Sequence, residues 1–142
     1  MHRLLLDNDG TNVFHHRLTE PVEQVIEDVV AELPSCVTTF VLCPNCCGKF
    51  FHPTKVGEVS LGSHHLLAAH RRGLDPFGML LRSMKATGRE VLLTYRMNDV
   101  HGATNPNDPG LSNFKREHPD FVVGYEAIQN GQANWMDYCL DY

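Results

Sequence analysis

The feature of this chain that most constrains its fold is an alternation of strand-like and helix-like segments. Three strand-like runs lie at residues 4–6, 37–43 and 90–96, and the second of them is nearly continuously apolar. Between them, apolar residues recur at helical spacing over 22–33 and again over 77–84. Strands that are apolar on both faces are typical of parallel sheets covered by helices. The order strand, helix, strand, helix, strand therefore predicts an α/β fold with parallel pairing.

Polar side chains follow each of the three predicted strands, at residues 7–9, 44–45 and 96–101. In a parallel (β/α) barrel such strand ends gather at one face, where the active sites of these barrels lie. In an open doubly wound sheet they gather as well, at the point where the strand order reverses. No glycine-rich phosphate loop follows the first strand, which makes a nucleotide-binding sheet the weaker alternative. Periodicity alone supports the barrel and the open sheet about equally.

Four segments carry a resemblance to a known family: 5–10, 39–44, 48–57, and 95–101, which reads Tyr-Arg-Met-Asn-Asp-Val-His. In this order they resemble the N-terminal part of bacterial glycoside-hydrolase-like barrel proteins, often called family-10-like. The resemblance extends over nearly the whole chain. It implies that residues 1–142 are a single partial domain, the N-terminal portion of an incomplete (β/α)8 TIM barrel. About three to four βα units of such a barrel would be present.

The resemblance also implies a function, the carbohydrate-binding part of a glycoside hydrolase. Glycosidases need two carboxylates that flank the scissile bond. In barrels of this kind those acids come from the fourth and later strands, and a whole barrel takes about 250 residues. We therefore expect the catalytic acids to lie outside this chain and leave open whether it belongs to an active enzyme. No cofactor is expected.

The residues expected to contact the substrate lie at the ends of the first and third strands. They combine guanidinium, amide, carboxylate and imidazole groups, which can clamp sugar hydroxyls by charge-assisted hydrogen bonds. These residues are Asn8, Asp9, Tyr95, Arg96, Asn98, Asp99 and His101. The alternative is a structural role, because Asn and Asp often bond their own backbone in turns and Arg96 could simply pair with Asp99.

Several aromatic residues are candidates for stacking against a sugar ring. Tyr95 and Trp135 are the first of these, and Phe50 and Phe51 are two more. Each of them could instead belong to the core, which is the commoner place for an aromatic side chain.

Cysteines and histidines offer a competing interpretation, a zinc-stabilised binding module. Cys43 and Cys46 form a C-x-x-C pair, and His64, His65 and His70 follow. Seventeen residues separate Cys46 from His64, whereas about twelve are usual in a zinc finger. We therefore favour a chain without a metal, in which Cys43 is a small buried residue. A nucleophilic pair of Cys46 or Cys47 with His101 is a third, weaker alternative.

Charge and hydropathy restrict the expected partners. The formal net charge of −5 at pH 7 argues against nucleic acid, whose phosphates require an excess of Lys and Arg. No apolar run approaches the roughly 20 residues of a membrane helix, and no secretory signal is visible after residue 3. Five cysteines, an odd number, favour a reduced and cytoplasmic protein. Residues 138–142 resemble the start of a fourth strand, and an unclosed sheet would leave edges for self-association.

Overall fold

The computed structural model describes residues 3–17, 21–60, 63–99 and 107–132. In chain order its elements are β1 (Leu5–Asn8), a π-helix (Asn12–Arg17), α1 (Val22–Ala31), β2 (Thr39–Leu42), β3 (Asn45–Cys46), β4 (Lys49–Phe50), β5 (Glu58–Val59), α2 (His64–Arg71), α3 (Pro76–Ala86), β6 (Glu90–Leu93), α4 (Asn113–Glu117), a 3₁₀ turn (Pro119–Phe121) and α5 (Tyr125–Gln129). Three of the strands form the main sheet and three shorter ones form a second sheet.

The main sheet is parallel, with strand order β1-β2-β6. Its middle strand, β2, is buried along its whole length, as its unbroken apolar and β-branched sequence predicts. Thr39 of β2 pairs with Leu5 on one side and with Glu90 on the other. The expected α/β architecture with parallel pairing is therefore confirmed.

The helices α1 and α3 pack against each other, and their apolar stripes join one hydrophobic core with β2. Ile26 of α1 and Leu80 and Met84 of α3 are buried there with Phe40. The start of α3 is fixed by its sequence, because the carboxylate of Asp75 accepts a hydrogen bond of 3.0 Å from the backbone N–H of Gly78. Both helices therefore lie where helical spacing predicts them.

The expectation that the chain forms the opening portion of a TIM barrel is wrong. Its parallel sheet has three strands in the described part of the chain, and the segment between β2 and α2 forms a sheet of its own. In that second sheet β3 pairs antiparallel with β4, and β4 pairs parallel with β5. The cause is local: a tight hairpin turn after Cys46 reverses the chain, where a βα unit would continue into a helix.

The outer strands of the main sheet are much more exposed than β2. Residues of β1 and β6 are half-buried or exposed, and Leu93 of β6 is 57% exposed. The fourth strand expected at 138–142 lies outside the described residues. Across the ranges that the structure describes, no helix is both long enough and apolar enough to cross a membrane.

Candidate functional site at the ends of the parallel strands

The carboxyl ends of β2 and β6 are joined by one buried amide side chain, that of Asn45. Its Nδ2 donates to the carbonyl oxygen of Arg96 at 2.8 Å, and its Oδ1 accepts from the backbone N–H of Arg96 at 3.1 Å. Both polar groups of the Arg96 backbone are thus satisfied by a single side chain beyond the end of the sheet. Asn45 therefore fixes the position of the Arg96 backbone, from which the Arg96 side chain extends.

The guanidinium of Arg96 lies between two carboxylates. Its Nη1 is 3.0 Å from Oδ2 of Asp99, and its Nη2 is 3.7 Å from Oδ2 of Asp9. Asp99 is only 8% exposed, and its backbone carbonyl accepts a hydrogen bond of 2.5 Å from Nζ of Lys115. The structure thus brings together Asp9, Arg96 and Asp99, three of the residues that the sequence predicts for the site.

Two cavities open at these strand ends. The larger has a volume of about 350 Å³ and is lined by Phe50, Glu58, Tyr95, Arg96, Asp99 and Phe114, among others. The smaller, of about 220 Å³, is lined by Asp7, Asp9, Cys43, Thr94, Tyr95 and Arg96. Tyr95 and Arg96 line both cavities and so lie between them. We call the larger one the aromatic cleft.

Aromatic rings form much of the wall of the aromatic cleft. Tyr95 is 54% exposed, and its ring centroid is 6.0 Å from that of Phe50. Phe114 is exposed as well, whereas Phe51 is fully buried in the core, where it packs on Phe14 at 5.0 Å. Of the aromatic candidates, Tyr95 and Phe50 therefore lie at the site and Phe51 does not; Trp135 is outside the described residues.

The remaining predicted residues do not meet at the cleft. The Oδ1 of Asn8 accepts from the backbone N–H of Gly10 at 2.8 Å, which is the turn-capping alternative. Asp9 caps similarly, through the N–H of Thr11 at 2.9 Å, in addition to facing Arg96. Asn98 is half-buried and lines neither cavity. His101 lies outside the described residues, and with it the proposed pair with a cysteine.

Two adjacent cysteines lie directly beside the pair of Arg96 and Asp99. The Sγ atoms of Cys46 and Cys47 are 3.5 Å apart, and Nη1 of Arg96 is 3.5 Å from Sγ of Cys46. The backbone N–H of Cys47 donates to Oδ2 of Asp99 at 2.8 Å. Cys46, Cys47 and Asp99 are the group of potential metal ligands that the described residues contain, with donor atoms within 4.8 Å of one another.

The turn between β3 and β4 explains how two consecutive thiols come together. Cys47 and Gly48 are its two central residues, with φ of 56° and 71°. Two positive φ values define a type I′ hairpin turn, whose first central position is normally Asn, Asp or Gly. A left-handed backbone costs a residue with a Cβ about 1–2 kcal/mol. Cys47 therefore occupies a position for which other residues have a better conformational preference.

The environment shifts the pKa values of the two thiols in opposite directions. A hydrogen bond from the Cys47 thiol lowers the pKa of Cys46 to about 6, against the opposing effect of burial; Thr11 and Arg96 also lower it, and Asp99 raises it. The pKa of Cys47 is raised, because it donates that hydrogen bond and because it is half-buried. At neutral pH the pair therefore shares one proton, and the guanidinium of Arg96, 3.5 Å from Sγ of Cys46, favours the thiolate on that sulfur.

The structure does not assemble the zinc ligands that the C-x-x-C pair suggests. His64 and His65 lie against each other, with ring centroids 3.9 Å apart, and His70 is half-buried, which lowers its pKa. None of the three joins a cysteine in a group of potential ligands within the described residues. Cys43 is buried, as expected for a small core residue, and its thiol lies 3.3 Å from the carbonyl oxygen of Asn45.

Sequence reasoning did not single out Asn45 or Lys115 as members of the site, and it considered Cys47 only in a nucleophilic pair with His101. A signal existed for Cys47, since Cys-Gly between two short apolar runs stands where Asn-Gly would predict a hairpin. Asn45 was noted only as a polar residue after the second strand, and no local pattern marks Lys115; their partners are 51 and 16 residues away. Comparison of the chain with models of protein families and with curated proteins found no match.

Proposed function

We propose that the protein binds carbohydrate in the aromatic cleft. The observation that carries the proposal is the exposed ring of Tyr95 beside a guanidinium that two carboxylates hold in place. Sugar rings have apolar C–H faces that pack on aromatic side chains, while their hydroxyls need planar charged partners such as Arg96 and Asp99. The resemblance of the sequence to glycoside-hydrolase-like proteins is a second support.

The size and charge of the cleft indicate the kind of sugar. A volume of about 350 Å³ is at the lower end of the roughly 300–1,000 Å³ of small-molecule sites, which suits one or two sugar rings. Glu58 and Asp99 are balanced at its wall by Arg96 and Lys115. Because positive and negative groups are matched, we expect a neutral sugar to be preferred over a uronic acid or a sulfated sugar.

The test is a binding titration of the 142-residue chain with a panel of neutral oligosaccharides, followed by calorimetry. We expect Tyr95→Ala to weaken binding about tenfold, the effect of losing roughly 1.4 kcal/mol of ring contact. Tyr125→Ala is the matched control, because Tyr125 is also exposed but lines neither cavity. Equal affinity of the two variants, or a panel in which no sugar binds the unaltered chain, would contradict the proposal.

We also propose that the protein self-associates through the exposed edge of its main sheet. Leu93 lies on β6, whose outer edge has no partner strand among the described residues. Leu93→Lys should shift the chain toward monomer, since a lysine at a strand edge opposes pairing. Val123→Lys alters an exposed residue that belongs to no strand and serves as the control. Sedimentation velocity over a concentration series measures the effect, and a monomer at every concentration would refute it.

A cytoplasmic location is part of the proposal. Its support is the odd number of cysteines, five in the sequence, and the free thiols of Cys36, Cys43, Cys46 and Cys47. The negative net charge supports the exclusion of nucleic acid as a partner.

A further inference from the structure

The pair formed by Cys46 and Cys47 is arranged unlike two ordinary neighbours in a strand. Consecutive side chains of a strand point to opposite faces, yet these two Sγ atoms are 3.5 Å apart. The positive φ of Cys47 turns its side chain to the same side as that of Cys46. The chain thus adopts an unfavourable backbone conformation at the residue whose thiol completes the pair.

A positive charge and a hydrogen-bond network surround the pair. Nη1 of Arg96 is 3.5 Å from Sγ of Cys46, and Asp99 holds both the guanidinium and the backbone N–H of Cys47. A thiolate next to a guanidinium is the usual setting of a reactive cysteine. The lowered pKa of Cys46 and the raised pKa of Cys47 agree with this geometry and separate the roles of the two sulfurs.

The alternative is that the same residues bind a metal ion, and the position of Arg96 makes this unfavourable. Its Nη1 is within hydrogen-bond distance of both Cys46 Sγ and Asp99 Oδ2, at 3.5 Å and 3.0 Å. A divalent cation bound to those two atoms would lie beside a fixed positive charge, which repels it. Asp99 Oδ2 already accepts from Cys47 as well. The contacts therefore favour a pair of thiols over a metal centre.

We propose that Cys46 and Cys47 form a redox-active vicinal dithiol, which a hydroperoxide oxidises to a disulfide. The Cys46 thiolate attacks one peroxide oxygen, the O–O bond breaks, and the leaving oxygen takes a proton to become water or an alcohol. Cys46 is now a sulfenic acid. The Cys47 sulfur then attacks the Cys46 sulfur, the S–O bond breaks, and the proton lost from Cys47 leaves with the hydroxyl as water.

Atoms and electrons balance over the two steps. Two thiols and one hydroperoxide give one disulfide, one water from the Cys46 hydroxyl, and one water or alcohol from the leaving oxygen. The two sulfurs lose two electrons and the O–O bond gains them. Cys46 is the attacking residue because the guanidinium of Arg96 lies 3.5 Å from its Sγ and stabilises a thiolate there. Cys47 is the resolving residue because its Sγ is 3.5 Å from that of Cys46, and it loses its proton as it attacks.

The experiment treats the 142-residue chain with hydrogen peroxide, blocks remaining thiols under denaturing conditions, and locates the blocked cysteines by mass spectrometry. We expect free thiols to fall from five by two, with Cys46 and Cys47 protected until a dithiol reductant is added. The exposed Cys36 provides the matched control, since Cys36→Ser should still lose the same two thiols. Full blocking of Cys46 and Cys47 after oxidation would overturn the proposal. The proposal would also be overturned if the purified protein held one zinc ion per chain and this ion protected Cys46 and Cys47 from the blocking reagent.

The variant Cys47→Ser separates the two steps. Because the resolving thiol is gone, this variant should accumulate a sulfenic acid on Cys46, which dimedone traps. Absence of the dimedone adduct in the folded variant would contradict the proposal. If this variant fails to fold, phenylarsine oxide tests the unaltered chain. Its single arsenic atom needs two thiols in reach, so it should protect Cys46 and Cys47 from alkylation but leave Cys36 reactive. If phenylarsine oxide protects neither Cys46 nor Cys47 from alkylation, the proposed pairing is overturned.

The pH dependence of the oxidation provides a further measurement. The charged and titratable groups known to act on Cys46 are Cys47, Asp99 and Arg96. Deprotonation creates the attacking thiolate, so the rate should rise with pH and level off above about pH 6. A free thiol in solution, such as that of a small cysteine peptide, keeps gaining reactivity up to roughly pH 8.5. A rate at Cys46 that rises in parallel with that of such a peptide would count against the assigned roles.

Discussion

Replacing Gly10 with alanine is expected to destabilise the fold by about 3 kcal/mol, a large fraction of the roughly 5–15 kcal/mol typical of a domain. Gly10 has φ of +79°, and a Cβ there would lie 2.7 Å from Cε2 of Phe51 and 2.8 Å from the carbonyl oxygen of Cys43. The carbonyl belongs to the backbone at the end of β2 and cannot turn away. Urea unfolding of the purified chain measures the free energy directly.

Gly88→Ala provides the matched control for this change. Gly88 has nearly the same backbone conformation, with φ of +77°, but apart from its chain neighbours no atom of the described residues lies within 4 Å of where a Cβ would be. It should therefore lose only about 1 kcal/mol, the conformational cost alone. Equal losses for the two variants would show that Gly10 is required for its φ and not for the close approach of Phe51 and Cys43.

Asn45→Ala should have the second large effect, a loss of about 2–4 kcal/mol in the free energy of unfolding. The substitution leaves both the N–H and the carbonyl of Arg96 without the side chain that now satisfies them. It also removes the connection that fixes Arg96 at the mouth of the aromatic cleft. We therefore expect weaker sugar binding together with the lower stability.

The control for Asn45 is Asn113→Ala, which deletes an exposed amide whose Oδ1 accepts from Arg116 at 3.0 Å. An exposed hydrogen bond of this kind should change stability by no more than about 0.5 kcal/mol. Thermal or urea unfolding of the two variants side by side gives the comparison. A loss at Asn45 as small as that at Asn113 would mean that water replaces the lost amide at the strand ends.

Local patterns were sufficient for most elements of the main sheet and its helices. The run of apolar residues at 37–43 marks β2, and the cap at Asp75 with Pro76 marks the start of α3. These signals depend on residues that are close in sequence, and they can therefore be recognised in a single amino-acid sequence. The barrel expectation rested on the resemblance, which strand and helix order could not check because several α/β architectures share that order. The Cys47–Gly48 turn that diverts the chain was also not recognised.

The candidate site was predictable only where it coincides with the strand ends. Arg96, Asp99 and Asp9 were expected because polar residues directly follow apolar runs, and parallel pairing brings those ends together. Asn45 also follows a predicted strand, but its role could not be found this way, because Asn45 bonds the backbone of Arg96, and a residue of any type would offer the same backbone groups. The thiol pair depends on a single positive φ, a property that sequence periodicity does not report.

The position of β2 in the sheet has a consequence for the order in which the chain folds. Its partners begin 34 residues earlier and 51 residues later, as the pairs Leu5–Thr39 and Thr39–Glu90 show. Closing such long loops is slow, whereas a hairpin such as β3–β4 forms in about 1–10 μs. The thiol pair should thus exist before the sheet beside it, and an oxidant that reaches the chain during synthesis would meet both sulfurs before Arg96 stands beside them to favour the thiolate.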